Sequence, residues 1–349
     1  MDRYKYQKLK KDLLFRIQAG GYGENGKIES EPALQRMTGL SRNTIRQAVK
    51  ELELEGYLYR VRGSGTYVKN KIPGISKKIA LLIYDTAYMT NHITSNMIRG
   101  VDHVLCRDGY TLDILAGHRD FPKESVAHLS ESYAGFLVGA YQLDPLILQG
   151  LIKSGKPFLF VKNYQDHYKD LALMIDYEKA GYLAAEHLIR NGCRDLGLVY
   201  AGDSVMISRD FALGVKLAAL EFGVRLKKSN CCYCPYSAPE EAGQYAAHFI
   251  KSKVDGVVCA TDESAVVLCR EFLKDGKSIP GEIQITGCNN NPVCSVISLP
   301  PTTLEIPAYD LGAAAAEYLL KRLHGIITPL PGKFLPELIR RKTTKWKCK

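Results

Sequence analysis

SEPALQRMTGLSRNTIRQAVKELELEGYLYRVRGSGTYV, residues 30–68, sets a short helix, a turn, a second helix with a polar leading edge and a glycine-turned hairpin one after another. Ser30 opens the first helix, Glu31 and Pro32 occupy its first turn, and Gly39 ends it. Ser41 is a good N-cap for the second helix, over 41–55, because its hydroxyl can accept from the free amides of the first turn. Ile45, Ala48, Val49, Leu52 and Leu54 gather mostly on one face, leaving Arg42, Asn43, Thr44 and Arg46 at the N-terminal end and outside. Gly56 stops that helix. Strands over 57–61 and 66–68 then flank Arg62-Gly63-Ser64-Gly65, whose glycines permit a tight turn. This order of elements predicts a winged helix-turn-helix domain that reads DNA.

The side chains at the leading edge suit that task. Arginine can grip guanine with two bonds, asparagine can do the same for adenine, and a threonine hydroxyl can reach a phosphate or a base. The candidate DNA contacts are therefore Ser30, Ser41, Arg42, Asn43, Thr44 and Arg46, together with the wing residues Arg62, Gly63, Ser64 and Gly65, where Arg62 would meet a phosphate or enter a minor groove. Charge points the same way. Residues 1–78 hold 17 Lys and Arg against 8 Asp and Glu, +9 of the chain's formal +10, so the positive charge is localised on this module. A membrane-surface role fits poorly, because the basic residues do not line one face of a long amphipathic helix.

Residues 4–69 resemble the DNA-binding domain of the GntR family of bacterial transcription regulators. The resemblance rests on Ser30-Glu31, on Ser41-Arg42-Asn43-Thr44-Ile45-Arg46-Gln47-Ala48 for the family's S-R-x-T-x-R-x-A, and on Gly63-Ser64-Gly65-Thr66-Tyr67-Val68 for G-x-G-T-x-V. One departure is Glu29, where the family usually has proline. It adds a negative charge beside the expected DNA face.

A chain of 349 residues with 46% hydrophobic content predicts two domains or more. The expected division is a winged helix-turn-helix domain over 1–70, a linker over 71–78 broken by Pro73-Gly74, and an effector domain over 79–349. No apolar run is long enough for a membrane span and the opening MDRYKYQKLKK has no signal-peptide stretch, so a cytoplasmic location and no membrane partner are expected. The ten cysteines are scattered, as suits a reducing compartment. Cys231 and Cys234 form a C-x-x-C with no second pair nearby, so no metal is expected, and these read as strand cysteines.

Beyond the linker, apolar runs at 79–83, 111–116, 135–138, 158–161, 196–200, 256–260 and 283–287 alternate with helical segments at 93–107, 178–191, 206–222, 239–253 and 263–276. That alternation predicts α/β architecture: parallel sheets covered by helices, with ligands beyond the carboxyl ends of the strands. Over 79–344 the sequence resembles the LacI/GalR family's effector domain, which is itself similar to periplasmic sugar-binding proteins. Arg99-Gly100-Val101-Asp102 with Gly109-Tyr110, Ile175-Asp176-Tyr177 with Gly181 and 184–189, Thr261-Asp262-Glu263-Ser264-Ala265, Pro301-Thr302-Thr303-Leu304 and 338–343 carry it, in the family's order. A GntR head on this body is the arrangement of the arabinose-repressor subgroup. The resemblance implies a body of two periplasmic-binding-protein-like subdomains, with crossovers near 162, 289 and 327.

A sugar needs planar acceptors and donors for its paired hydroxyls, with an aromatic ring against its apolar face. Asp262, after the strand at 256–260, matches the family aspartate that contacts the effector, and a helix cap is its alternative role. Arg209 resembles the family's sugar-gripping arginine, although the glycine expected three residues later is Gly214, five later. Asp85, Tyr88 and His92 would line the cleft from the first subdomain. Lys162 and Asn289 stand where the family commonly has aspartates; two carboxylates fewer and one cation more favour an acidic or phosphorylated sugar, or a different hydroxyl pattern. Asp176 reads as a helix N-cap.

Alternating strands and helices also host many enzymes, but no G-x-S-x-G elbow, Walker loop or H-E-x-x-H is present, and the GxG at 63–65 sits in the wing. The expected function is a non-enzymatic, cofactor-free homodimeric regulator of carbohydrate uptake or catabolic genes, bound to double-stranded operator DNA and released by a small sugar effector. Ligand-dependent activation is the alternative sign, and a sugar-binding or sugar-processing protein without regulatory role is the other reading.

Overall fold

The computed structural model describes residues 2–18, 21–22, 26–69, 77–83, 91–116, 132–139, 143–162 and 166–345. The head contains α1 (Asp2–Gln18), α2 (Glu31–Thr38), α3 (Arg42–Leu54) and the antiparallel hairpin β1 (Leu58–Val61) with β2 (Gly65–Val68). Ser30 and Ser41 cap α2 and α3, accepting from Ala33 N and Thr44 N, and Gly39 closes α2 in the left-handed region at φ 67°. Leu9, Leu13 and Ile17, four residues apart on α1, enter one core with Leu34, Ile45, Ala48, Val49 and Leu52. Burying each of the leucine, isoleucine and valine side chains stabilises by about 1.5–3 kcal/mol. Leu54, expected on the apolar face, is instead 77% exposed, because it lies two residues, some 200°, around the helix from Leu52.

The body carries two parallel sheets. The first runs β4-β3-β5-β6-β7, from β3 (Lys78–Ile83), β4 (Thr111–Ala116), β5 (Gly135–Val138), β6 (Phe158–Val161) and β7 (Ala172–Leu173). The second runs β11-β10-β8-β9, from β8 (Asp195–Tyr200), β9 (Arg225–Tyr233), β10 (Gly256–Cys259) and β11 (Gln284–Thr286). Every residue of β5 and β10 is buried, as strands covered by helices on both faces require. The helices are α4 (His92–Arg107), α5 (Pro145–Ser154), α6 (Tyr177–Arg190), α7 (Met206–Glu221), α8 (Ala246–Lys251), α9 (Asp262–Lys274) and α10 (Ala308–Leu323). The helix expected at 239–253 is divided, with a 3-10 segment, Pro239–Tyr245, ahead of α8.

In each half two helices meet backbone to backbone through glycine. A Cβ on Gly100 of α4 would fall 2.1 Å from the Tyr309 carbonyl oxygen of α10, and one on Gly312 of α10 would fall 2.0 Å from that of Met97. On α6 and α7, Gly181 and Gly214 would strike the Phe211 and Glu178 carbonyl oxygens at 1.9 and 1.8 Å. Gly214 is thus a packing residue of α7 and gives no register for Arg209.

The chain passes between the halves at 174–176, 305–307 and 334–336, and not near 162, 289 and 327. After Lys162 the chain adds β7 to the first sheet before leaving it. Likewise β12 (Thr303–Glu305) pairs with β13 (Glu337–Ile339) before α10 returns to the first sheet. Two crossings are bonded side by side: Ile175 bridges Phe334, the Asp176 amide donates to the Phe334 carbonyl and the Phe334 amide to that of Met174, both at 2.9 Å.

Candidate functional site

Two surfaces concentrate the polar groups. On the head, Glu31 in the first turn of α2 gathers three arginines: Arg46 Nε donates to it at 2.9 Å, Arg42 Nε at 3.4 Å and Arg60 at 3.5 Å, with Arg60 Nε also donating to Glu53 at 3.2 Å. The guanidiniums hold the Glu31 carboxyl below its usual range against the opposing effect of its partial burial. Arg42, Arg46 and Arg60 are half or more exposed, so their free N–H groups face outward from an ordered platform. Arg60, on β1, was not singled out in the sequence, and Glu31 was read only as a first-turn residue of α2 and part of the Ser30-Glu31 pair, since neither belongs to the leading edge of α3. Asn43 is exposed beside Arg42, and Arg62 is exposed at the wing tip. Gly63 and Gly65 have φ of 77° and 141°, and Ser64 Oγ meets the Tyr67 hydroxyl at 2.5 Å, which fixes the tip.

Two expectations about this face are corrected. Thr44 is buried, and its hydroxyl bonds the Ser41 hydroxyl at 2.7 Å, so both serve the α3 cap and Thr44 does not present its hydroxyl outward. Glu29 adds no free negative charge to the DNA face. It pairs with Arg16 of α1 and accepts from the Tyr22 hydroxyl at 2.6 Å.

In the body a cavity of about 370 Å³ opens beyond the carboxyl ends of both sheets. Its walls come from the start of α4 (Asn91, Ile93, Thr94, Met97), the ends of β3, β5 and β6 (Ile83, Gly139, Lys162), the turn into α7 (Ala201, Ser204, Val205, Ile207, Phe211), the segment after β9 (Tyr233, Pro235, Tyr236, Ser237), and Tyr177, Thr261, Glu263 and Asn289. Lys162 and Asn289 both have left-handed backbones, at φ 72° and 102°, a conformation costing about 1–2 kcal/mol outside glycine, and less for asparagine. Lys162 remains partly accessible through the cavity mouth, yet its surroundings desolvate the ammonium and lower its pKa to about 8. Tyr177 and Tyr236 have pKa values raised by burial, so both keep their protons.

Of the other expected cleft residues, Asp85 and Tyr88 fall outside the described residues. His92 opens α4 but turns to Asn96, its Nε2 lying 3.0 Å from the Asn96 amide, while Asn91 and Thr94 line the cavity. Arg209 is half-exposed, next to Asp210 at 3.6 Å; Ile207 and Phe211 hold the inner face of α7, and a residue between them points away. Asp262 is wholly buried behind the wall. Its Oδ2 accepts from the Asn291 amide at 2.7 Å, and Gly287 is needed there because a Cβ would lie 2.2 Å from Asp262 Oδ1. Burial raises the Asp262 carboxyl to about 7. Thr261, not Asp262, caps α9, and Glu263 is the carboxylate on the cavity wall. Tyr233 and Tyr236 were missed with β9, whose opening Arg225-Leu226-Lys227-Lys228 hides the strand signal.

Among the described residues no three His, Cys, Asp or Glu side chains gather as a metal site requires, and Cys231, Cys232 and Cys234 are free thiols on or just after β9. No helix among the described residues is long and apolar enough to cross a membrane.

Comparison with known proteins adds independent findings. Residues 5–68 match the bacterial regulatory proteins, gntR family, and residues 185–344 match the periplasmic binding protein-like domain. The chain is 26% identical to an arabinose metabolism transcriptional repressor of Geobacillus stearothermophilus over 98% of each chain. It is 26% identical to a ribose operon repressor of Halalkalibacterium halodurans over 86% of this chain and 87% of that one. Among solved structures, a LacI family transcriptional regulator from Enterococcus faecium with bound ribose superposes with a TM-score of 0.65 at 25% identity, over 76% of this chain and 98% of that one. A transcriptional regulator CelR–cellobiose complex shares the fold, with a TM-score of 0.68 at 18% identity, over 86% and 90% of the two chains.

Proposed function

The chain joins a gntR-type DNA-binding head to a periplasmic-binding-protein-like body of the kind found in LacI-family regulators, and from this premise we propose that it is a sugar-responsive, sequence-specific transcriptional repressor of carbohydrate genes. The observation that carries the reading is the coexistence of an arginine face held outward by Glu31 and an enclosed, monosaccharide-sized cavity between two parallel-sheet halves. In this reading Arg42, Asn43 and Arg46 enter a major groove, Arg60 and Arg62 hold phosphates, and the Ser41–Thr44 cap fixes the angle of α3. Two copies bind a palindromic operator as a homodimer in the cytoplasm. A sugar in the cleft closes the halves about the three crossings and shifts the spacing of the heads, which releases the operator.

The chain performs no chemistry in this scheme. Retention of the pure protein on operator DNA, relieved by a saccharide, supports it; turnover of that saccharide by pure protein would overturn it. Ligand-dependent activation would register as tighter retention on addition of the sugar.

A further inference from the structure

We propose that the ligand of the cleft is an anionic monosaccharide, a sugar acid or sugar phosphate, whose charged group is received by Lys162 and the first turn of α7; this rests on the reading of the cleft as a sugar site. Lys162 is the sole Lys or Arg among the described residues lining the cavity. Its backbone amide donates to the Leu173 carbonyl at 2.9 Å, but its ammonium makes no hydrogen bond or ion pair with any described residue. Among the described residues the wall's one carboxylate, Glu263, is engaged by the Asn291 side-chain amide at 2.6 Å, and the neighbouring Asp262 is sealed behind the wall.

An ammonium in a desolvating pocket with no partner among the described residues gains nothing structurally from them, and its lowered pKa records that cost. An arriving anion would remove it. The left-handed backbone at Lys162 adds strain at the same point, a pattern that gathers at ligand sites.

The second observation comes from the opposite half. The helices α4, α7 and α9 all begin at the cavity wall, and Asn91 and Thr261 cap α4 and α9. In contrast, α7 begins after Val205, whose side chain has no acceptor, so its first amides and the positive end of its dipole are left for a ligand. Asn91, Thr94, Ser237 and Asn289 then supply neutral donors and acceptors for hydroxyls. A volume of about 370 Å³ lies near the lower bound for small-molecule sites and suits one sugar ring.

The test measures affinities of the full-length wild type and Lys162→Met for matched saccharides by calorimetry at pH 7: glucose with glucuronate and glucose 6-phosphate, galactose with galacturonate, ribose with ribose 5-phosphate, and inorganic phosphate. Wild type should bind one charged member at least about tenfold tighter than its neutral counterpart, the step between a neutral and a charge-assisted hydrogen bond, and Lys162→Met should erase that preference. The acid and phosphate arms distinguish the two sources of charge. A neutral sugar binding as tightly as its charged counterpart overturns the proposal and leaves the sugar-responsive reading standing, whereas no binding of any saccharide by a DNA-competent protein sinks both. Inorganic phosphate matching the sugar phosphate, or a preference that survives in the variant, also overturns it. Lys162→Gln replaces the methionine variant if the latter does not fold, and the wild-type comparison decides independently of either.

Discussion

Glu31→Gln should separate orientation from charge in DNA recognition. The carboxylate accepts from Arg46 at 2.9 Å, Arg42 at 3.4 Å and Arg60 at 3.5 Å, all half or more exposed. Exposed pairs are each worth about 0.2–1 kcal/mol, and these share one carboxylate, so the folding loss should stay near 1 kcal/mol. The effect on DNA should be larger. Without their common acceptor, Arg42 and Arg46 must be ordered on binding, at about 0.5–1.5 kcal/mol each, which corresponds to a loss of operator affinity of roughly fivefold to 150-fold. Binding to unrelated DNA should instead improve by up to about fivefold, since removing one negative charge near a phosphate gains about 1 kcal/mol at 4 Å in water. Fluorescence anisotropy with an operator selected from random duplexes, and with a scrambled version of it, reads both quantities across a salt series. If the two affinities rise in the same proportion, Glu31 is merely a repelling charge and the orientation argument is wrong.

Arg46→Ala should weaken operator binding by about 1–3 kcal/mol and leave saccharide affinity unchanged, read by anisotropy and calorimetry on the same preparation. Gly214→Ala should destabilise the chain by about 1–3 kcal/mol despite the helix propensity gained, because its Cβ would sit 1.8 Å from the Glu178 carbonyl oxygen; a neutral or raised urea midpoint would refute the close packing. Stability should change little between pH 7 and 4, because two buried groups oppose each other. Burial raises Asp262 from 3.8 to about 7, so the fold takes up its proton before the unfolded chain does and gains about 4 kcal/mol as pH falls through that window. Burial, aided by the charge of Arg340, lowers His187 from 6.5 to about 4, so the fold loses about 3 kcal/mol between pH 6.5 and 4 as the unfolded chain protonates first. Asp262→Asn should therefore expose a loss of stability on acidification, and His187→Asn a gain; parallel profiles in both variants would contradict the pairing.

The head was legible because its signals are local. Ser30, Gly39 and Ser41 fix helix ends through their own hydroxyls or left-handed backbone, and Gly63 and Gly65 fix the wing. Glu31 was visible as a residue but not as a hub, since its partners lie 11, 15 and 29 positions away and meet it only after folding. The same limit applied to the cleft. Lys162 and Asn289 were singled out because they stand where the resembled family commonly has aspartates, and both line the cavity, whereas Asp262 and Arg209 do not: Glu263 and Ile207 occupy the inward positions. Strand β9 was overlooked because exposed Lys227 and Lys228 break its apolar run, and with it went Tyr233 and Tyr236.

The paired crossings also limit how the body can move. Because 174–176 and 334–336 are hydrogen-bonded and Glu337 pairs with Glu305, the three connections lie side by side as one laterally bonded strip. Two stiff blocks joined by one such strip share a single rotation axis, so saccharides of different size would stop the same swing at different angles instead of steering it along different paths. Response strength would then be graded by how far the blocks turn, and a ligand too bulky to permit full rotation would occupy the site as an antagonist.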